Sequence, residues 1–245
     1  MRWIVAPTWP GRHDAARRLG ITPLTAQLLH NRGIDEAGSE AFLGPSLKTL
    51  HPPESLSETA KAAEIICRKV RDRRPIVIYG DYDVDGITGT AILWHLLKMA
   101  GAEVSYYIPH RIDEGYGLNA DALRAIHARG VDTVISVDCG ITAIREAQVA
   151  RDLGLTLIIT DHHCPGAAMP EADCLVHPCV EPAYANRDLC GAGVAFKLAW
   201  AVAKALCGAD RVTPELREYL ISATGLVALG TIADVVPLTC WPASV

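Results

Sequence analysis

The sequence contains no hydrophobic run that approaches the roughly 20 residues a membrane-spanning helix needs. Its first residues also lack the basic region, apolar stretch and small-residue cleavage site of a secretory signal. We therefore expect a cytoplasmic protein with no membrane partner. With 245 residues, of which 50% are hydrophobic and 21% are charged, the chain is long enough for one sizeable α/β domain and a smaller appendage.

The eight cysteines include no CxxC pair and are scattered through apolar segments. This is typical of reduced cysteines rather than of a disulfide framework. Cys174, His177 and Cys179 are close enough in sequence for a zinc site. No second Cys/His pair accompanies them, however, so ordinary packing is the more frequent explanation for such a group.

Aromatic residues are few, with two Phe, seven Tyr and five Trp. They do not alternate with basic residues, as they do in proteins that bind long single strands by stacking. Residues 75–245 carry 20 acidic and 11 basic side chains, a balance that disfavours a polyanion unless part of the charge holds metal cations. A basic cluster at residues 68–74 could steer nucleic acid, but such a run is more often the solvated end of a helix.

The hydrophobic pattern predicts an α/β fold with an open parallel five-stranded sheet and helices on both faces, preceded by a small helical N-terminal segment. We place the N-terminal segment and a linker at 1–56, the sheet domain at 57–238 and a divergent tail at 239–245. A helix with Ser57 as its N-cap opens the domain. The predicted strands lie at residues 76–79, 103–108, 133–137, 155–159 and 174–177.

Several of these strands run directly into acidic or imidazole side chains. Ligands of an open parallel sheet lie beyond the carboxyl ends of its strands, so we expect these side chains to lie close together. Crowded carboxylates repel one another unless a cation neutralises them, and mixed carboxylate and imidazole ligands suit Mn²⁺ and tolerate Mg²⁺. The predicted site consists of Asp81, Asp83, Asp85, Asp138, His162, His163 and Asp234.

Simpler interpretations exist for parts of this set. Asp138 alone could cap the helix that follows its strand. Asp81, Asp83 and Asp85 resemble the start of an EF-hand loop, but Ile92 occupies the position where that loop requires a bidentate Glu. We therefore exclude a calcium loop.

Four segments resemble, in order, the motifs of the DHH phosphoesterase superfamily. They are residues 82–86, 138–140, 161–163 and 230–234. Within that superfamily the chain looks like the RecJ family of single-strand-specific 5′→3′ DNA exonucleases, a likeness that covers roughly residues 15–238. The resemblance implies two Mn²⁺ or Mg²⁺ ions and no other cofactor. It also implies single-stranded DNA, bound at its 5′ end, as substrate, with a helicase or single-strand-binding protein as partner.

The resemblance implies a ligand set for each ion. Asp83 and Asp138 hold one ion, whereas Asp85, His162 and Asp234 hold the other, and Asp138 bridges the two. In such sites the ions activate water for attack on phosphorus. No covalent protein nucleophile is therefore expected.

Three further residues receive roles from the same resemblance. Asp81 is a metal ligand or supports one, and His163 contacts the scissile phosphate or orients a neighbour. Arg111 matches a position that meets the substrate phosphate, with a plain surface charge as the alternative.

The resemblance fades after Leu238, where family members continue through a second domain and an oligonucleotide-binding fold. We expect this second domain to be absent and exonuclease activity to be impaired. The main alternative is a small-substrate DHH phosphoesterase: an oligoribonuclease, a cyclic-dinucleotide phosphodiesterase or a pyrophosphatase. The pyrophosphatase pattern has His where this chain has Tyr79, which counts against that activity. An inactive DNA-binding module is the other alternative, although every expected ligand is present.

Overall fold

The computed structural model describes residues 4–44, 46–110, 115–180, 184–209 and 211–238. The chain forms two compact units, one comprising the N-terminal residues up to His51 and the other running from Pro52 to Pro237. The predicted domain boundaries, at 56/57 and 238/239, stay a prediction, and the tail at 239–245 lies outside the described residues. None of the helices that the structure describes combines the length and apolar composition required to cross a membrane.

The N-terminal unit contains three short helices. They are α1 (Arg12–Leu19), α2 (Pro23–Asn31) and α3 (Glu36–Leu43). Thr22 and Asp35 cap the second and third helices, because each side chain accepts a hydrogen bond from the backbone three residues later. The helical character predicted for this segment is therefore confirmed.

The second unit is built on one parallel sheet with the strand order β2-β1-β3-β4-β5. The strands are β1 (Ile76–Tyr79), β2 (Val104–Tyr107), β3 (Thr133–Val137), β4 (Thr156–Thr160) and β5 (Cys174–Val176). Every residue of β1 and β3 is buried, as expected for central strands covered on both faces. The predicted five-stranded parallel sheet is confirmed, with strand ends that differ by at most one residue.

Helices cover both faces of the sheet. They are α4 (Thr59–Arg71), α5 (Val84–Met99), α6 (Ala120–Ala128), α7 (Ile144–Asp152), α8 (Gly191–Cys207) and α9 (Pro214–Ala233). Helices α6 and α7 contribute Leu123, Ile126 and Ala147 to a core with the strand residues Val77 and Ile159. Helices α4, α5 and α8 pack together on the other face, and α9 packs on α5 and α8.

Helix α4 corrects one prediction and clarifies another. Its N-cap is Glu58 in a left-handed conformation with no side-chain cap, so the predicted Ser57 cap is wrong. The basic cluster forms the last turn of α4 and the residues after it, where Lys69 and Arg74 contact Asp132. These contacts favour the helix-end interpretation of the cluster over a nucleic-acid surface.

Candidate metal centre

The carboxyl edge of the sheet gathers all of the described residues that the sequence predicts for the site. Since β1, β3 and β4 are parallel neighbours, the segments that follow them meet at this edge. Asp234 joins them from the end of α9, where it is the C-cap residue. Arg111 lies outside the described residues.

Asp83 and Asp85 begin helix α5 and are held differently. Asp83 is exposed and caps the helix, since its side chain accepts a hydrogen bond from the Gly86 amide at 2.9 Å. Asp85 is buried, and its two carboxylate oxygens accept from the amides of Gly191 at 2.6 Å and Ala192 at 2.8 Å. These amides form the N-terminus of α8, whose dipole favours a negative charge. Asp85 therefore joins α5 to α8 at the site.

Asp138 adopts a left-handed conformation with φ of 63°, which costs about 1–3 kcal/mol for a non-glycine residue. It does not cap α7, because that helix begins at Ile144 with Ala143 as its N-cap. The helix-capping interpretation of Asp138 is therefore wrong. Burial raises the pKa of Asp138 to about 7, and the nearby carboxylates of Asp85 and Asp83 add to the increase while His162 opposes it.

The Nε2 atom of His162 faces three carboxylates. It lies 3.1 Å from Asp138, 3.5 Å from Asp234 and 3.7 Å from Asp85. Burial lowers the pKa of His162, but the neighbouring carboxylates, chiefly Asp138, outweigh this effect and raise it overall. A nitrogen surrounded by carboxylate oxygens is the arrangement expected of ligands that share a cation.

Asp161 holds both histidines in place and is a site residue that the sequence did not predict. One of its oxygens accepts from the amides of His162 and His163 and lies 2.7 Å from Nδ1 of His163. The other accepts from the Ile141 amide at 2.9 Å. Burial raises the pKa of Asp161, but the hydrogen bonds from His163 and Ile141 outweigh this and lower it. The Asp161 hydrogen bond in turn raises the pKa of His163 to about 9.

The side chains at this edge form three overlapping clusters, in each of which the candidate ligand atoms lie within 4.8 Å of one another. The clusters are Asp81, Asp83 and Asp138; Asp85, His162 and Asp234; and Asp138, His162 and His163. The first contains Asp83 and Asp138, and the second consists of Asp85, His162 and Asp234, whereas Asp138 is not a member of this second cluster.

Unsatisfied atoms provide a separate test of whether the site suits a cation. In the described part of the chain, four buried side-chain atoms lack a hydrogen-bond partner: Asp81 Oδ1, Thr90 Oγ1, Asp138 Oδ1 and His162 Nε2. Buried polar atoms are costly when left unsatisfied. Three of the four belong to the candidate ligand set, and a bound cation would satisfy them. The residues present therefore fit Mn²⁺ or Mg²⁺.

The zinc alternative does not fit the contacts of His177. Its Nε2 lies 2.8 Å from the carbonyl oxygen of His163, and its Nδ1 accepts from the Cys179 amide at 3.0 Å. Both imidazole nitrogens are engaged, so neither is available to a metal. The structure thus favours ordinary packing for Cys174, His177 and Cys179.

Tyr116 is a second residue that sequence reasoning missed. Its hydroxyl lies 3.2 Å from Nε2 of His163, and the two rings meet edge to face. Burial near the carboxylates of Asp161 and Asp138 raises the pKa of Tyr116. The signal in the sequence is its place between two glycines, which is typical of a turn that fixes the position of the side chain between them.

Comparison with known proteins places this geometry in a family. The model of the DHH family, N-terminal domain, matches residues 75–231. Over 242 residues, 97% of this chain, the sequence is 43% identical to the single-stranded-DNA-specific exonuclease RecJ of Bacillus subtilis, of which it covers 29%. It is 36% identical to the Escherichia coli exonuclease of the same name over 226 residues, covering 89% of this chain and 38% of the relative.

Solved structures agree with this comparison. A manganese-bound exonuclease RecJ matches 80% of this chain with 38% identity and a TM-score of 0.69, over 47% of its own length. RecJ from Thermus thermophilus in complex with Mn²⁺ matches 97% of this chain with 32% identity and a TM-score of 0.76, over 32% of its length. This chain spans about a third of the length of the curated relatives it matches. Since the family match extends over more than half of the sequence, the chain belongs to the DHH family.

Proposed function

We propose that this chain is a metal-dependent phosphodiester hydrolase of the RecJ type that releases nucleotides from the 5′ end of single-stranded DNA. The observation that carries the proposal is the pair of candidate ligand clusters at one sheet edge, together with the unsatisfied atoms of Asp81, Asp138 and His162. The names of the relatives support the substrate, since they are described as single-stranded-DNA-specific exonucleases.

In this proposal Asp81, Asp83 and Asp138 would hold one ion, and Asp85, His162 and Asp234 would hold the other. The related RecJ structures with Mn²⁺ and Mg²⁺ support the choice of ion. Such ions, when bound, lower the pKa of water and offset the charge that develops on a phosphoryl group.

The protein's own groups position the substrate and supply a hydrogen bond. The Nδ1 of His163 is engaged by Asp161, so Nε2, which also lies 3.2 Å from the Tyr116 hydroxyl, is the nitrogen that can meet the substrate. The hydrogen bond with Asp161 raises the pKa of His163 and favours the imidazolium form, whose Nε2–H can donate to a phosphoryl oxygen. Asp161 keeps the ring in the orientation that this donation requires.

The remaining sequence predictions also belong to this proposal. Arg111 contacts the substrate phosphate, residues 57–238 form the catalytic domain, and the protein is cytoplasmic. A helicase or a single-strand-binding protein is its partner. A small-substrate DHH phosphoesterase is the second candidate, favoured by the acidic balance of residues 75–245.

The experiment compares hydrolysis of a 5′-phosphorylated single-stranded oligonucleotide in Mn²⁺ by the wild type, Asp138→Asn and Asp152→Asn. Asp138 is chosen over Asp85 because Asp85 also anchors two amides of α8, so its loss would disturb the fold. Asp152 is an exposed residue of α7 and serves as the matched control. We expect 5′-mononucleotides from the wild type and Asp152→Asn, and at least a roughly thousandfold lower rate from Asp138→Asn.

Two results would contradict the proposal. Hydrolysis of a dinucleotide or pyrophosphate without release of nucleotides from the oligonucleotide would transfer the assignment to the small-substrate enzymes. Failure of the wild type to bind Mn²⁺ in a calorimetric titration would contradict the proposed metal site itself.

A further inference from the structure

An aromatic ring stands open to solvent at the rim of the candidate metal centre. Tyr116 contacts His163 through its hydroxyl, and the centroids of the two rings are 5.9 Å apart. Even so, 56% of Tyr116 is exposed. The ring therefore offers an exposed aromatic surface directly beside the side chains of the candidate metal centre.

The backbone around Tyr116 holds the ring in this position. Gly115 and Gly117 have φ of 79° and 83°, a conformation that residues with a side chain rarely adopt. The carbonyl of Gly117 accepts a hydrogen bond at 3.1 Å from the hydroxyl of Tyr79, the buried last residue of β1. Tyr79 lies two residues before Asp81. The sheet edge that carries the carboxylates therefore also positions the ring of Tyr116.

Two described rings lie beside the His163 imidazole. His162, with its centroid 4.5 Å away, is a candidate ligand and only 11% of its side chain is exposed, whereas Tyr116 is open to solvent. Asp161 and Asp138 lie 2.7 and 3.9 Å from the Nδ1 of His163, and carboxylates offer a nucleobase no stacking surface. An aromatic ring stacks on any base, whatever the sequence. In a nucleotide the base is separated from its phosphate by one sugar, so a phosphate at His163 brings a base close to Tyr116.

We propose that the ring of Tyr116 stacks on the nucleobase next to the scissile phosphate and so selects base-bearing nucleic acid over base-free phosphoesters. This inference rests on the proposed function, which places the substrate phosphate at His163. The hydroxyl anchors one end of the side chain against the imidazole, and the exposed part of the ring contacts the base.

The first test uses Tyr116→Leu, Tyr116→Phe and, as a control, Tyr106→Leu. Tyr106 is also an exposed tyrosine, and its ring contact is with Trp94. Each protein is assayed in Mn²⁺ with two 5′-phosphorylated oligonucleotides, one ordinary and one with abasic residues at its first two positions. We expect Tyr116→Leu to raise KM about tenfold on the ordinary substrate and less than twofold on the abasic one. Tyr106→Leu should stay within about twofold of the wild type on both. Tyr116→Phe keeps the ring but loses the contact of the hydroxyl with His163, so it should raise KM on the ordinary substrate less than Tyr116→Leu does.

An equal loss on the two substrates would overturn the inference, because the effect would not depend on a base. An equal loss in Tyr116→Phe and Tyr116→Leu would overturn it as well, since the hydroxyl rather than the ring would then matter. Circular dichroism of each variant checks that the fold is retained.

A second test needs no turnover. An oligonucleotide with 5-iododeoxyuridine at its 5′ end is irradiated with the protein, and the crosslinked peptide is identified by mass spectrometry. We expect a crosslink at Tyr116 that is lost in Tyr116→Leu, and a wild type without this crosslink would contradict the stacking contact. If the wild type crosslinks at Tyr116 but releases no nucleotides, the proposed activity fails and the base contact stands. If the wild type releases nucleotides without a crosslink at Tyr116, the proposed activity stands and the base contact fails.

Discussion

Asp132 and Asp138 flank the same strand, β3, at opposite edges of the sheet. At the amino edge, Asp132 accepts hydrogen bonds from Arg74 at 2.6 Å and Thr133 at 2.8 Å, and Lys69 lies 3.4 Å away. At the carboxyl edge, Asp138 is buried, and its Oδ1 has no hydrogen-bond partner. Asp132 is thus neutralised by two basic side chains, whereas Asp138 shares His162 with the carboxylates of Asp234 and Asp85.

The pKa values of the two carboxyls move in opposite directions. Burial raises the pKa of Asp132, but Arg74, Thr133 and Lys69 outweigh this and lower it overall. For Asp138 burial raises the pKa to about 7. At the amino edge, basic side chains compensate the acid and stabilise the fold. At the carboxyl edge, the carboxylates outnumber the histidines, and such crowding is tolerable once a cation joins them.

The first expected effect concerns Mn²⁺. At a hundred times its Kd the ion should stabilise the wild type by about 2.7 kcal/mol, which raises Tm by roughly 5–10 °C. Asp138→Asn should lose most of this shift, since it removes the carboxylate shared by two ligand clusters, whereas Asp132→Asn should keep it. Thermal unfolding in Mn²⁺ and in EDTA measures the shift. If Mn²⁺ raises the Tm of Asp138→Asn as much as that of the wild type, the proposed difference between the two edges is wrong.

Substitution of a glycine tests how tightly the carboxyl edge is packed. A Cβ at Gly230 would lie 2.3 Å from Asp85 Oδ1 and 2.8 Å from the Cβ of Ala192. Gly230→Ala should therefore destabilise the fold by about 1–3 kcal/mol. Gly225→Ala is the control in the same helix, where nothing lies within 4 Å, and it should stabilise by up to about 1 kcal/mol. Urea unfolding measures the free energy of unfolding of both variants. Similar free energies for the two would contradict the crowding at Gly230.

A third expected effect is the pH dependence of stability in EDTA. Asp138 binds a proton in the folded protein up to about pH 7, whereas an unfolded Asp releases it near pH 4. The contribution of Asp138 to stability should therefore fall as pH rises from about 4 to 7. Asp132 has a lowered pKa, so its contribution is present above about pH 4 and is lost as the pH falls through its folded pKa.

The two variants separate these contributions. Asp138→Asn should flatten the fall between about pH 4 and 7 by up to about 4 kcal/mol, because a difference of one between folded and unfolded pKa values corresponds to about 1.4 kcal/mol. Asp132→Asn should reduce the loss at lower pH by less than about 1 kcal/mol, because solvent screens a partly exposed pair. Urea unfolding at a series of pH values measures both. A wild type whose stability rises from pH 4 to 7 by as much as that of Asp138→Asn would contradict the raised pKa.

Much of the fold could be predicted because its signals are local. The strand predicted at residues 76–79 agrees with β1, since a short apolar run before Gly80 and Asp81 has few other interpretations. The predicted start of α4 is wrong because serine is a residue type that commonly caps helices. The chain instead enters the helix through Glu58 in a left-handed conformation, which residue preference disfavours.

The candidate ligands could be predicted for the same reason, since each follows a recognisable strand or belongs to a recognisable motif. The roles of Asp161 and Tyr116 could not. Asp161 acts through hydrogen bonds to His163 and Ile141, and Tyr116 reaches His163 from a position 47 residues earlier in the chain. Such contacts have no periodicity for a sequence pattern to reveal.

The sequence by itself determined the parallel sheet and the identity of the acidic and imidazole groups at its carboxyl edge, because hydrophobic periodicity and strand ends are properties of neighbouring residues. Only the tertiary structure decided that Asp85 is bound to the N-terminus of α8, 106 residues away, and that Asp138 is buried without a hydrogen bond at its Oδ1. The physical reason is that burial and hydrogen bonding depend on which distant segments pack together. The same packing sets the charge that each carboxylate carries.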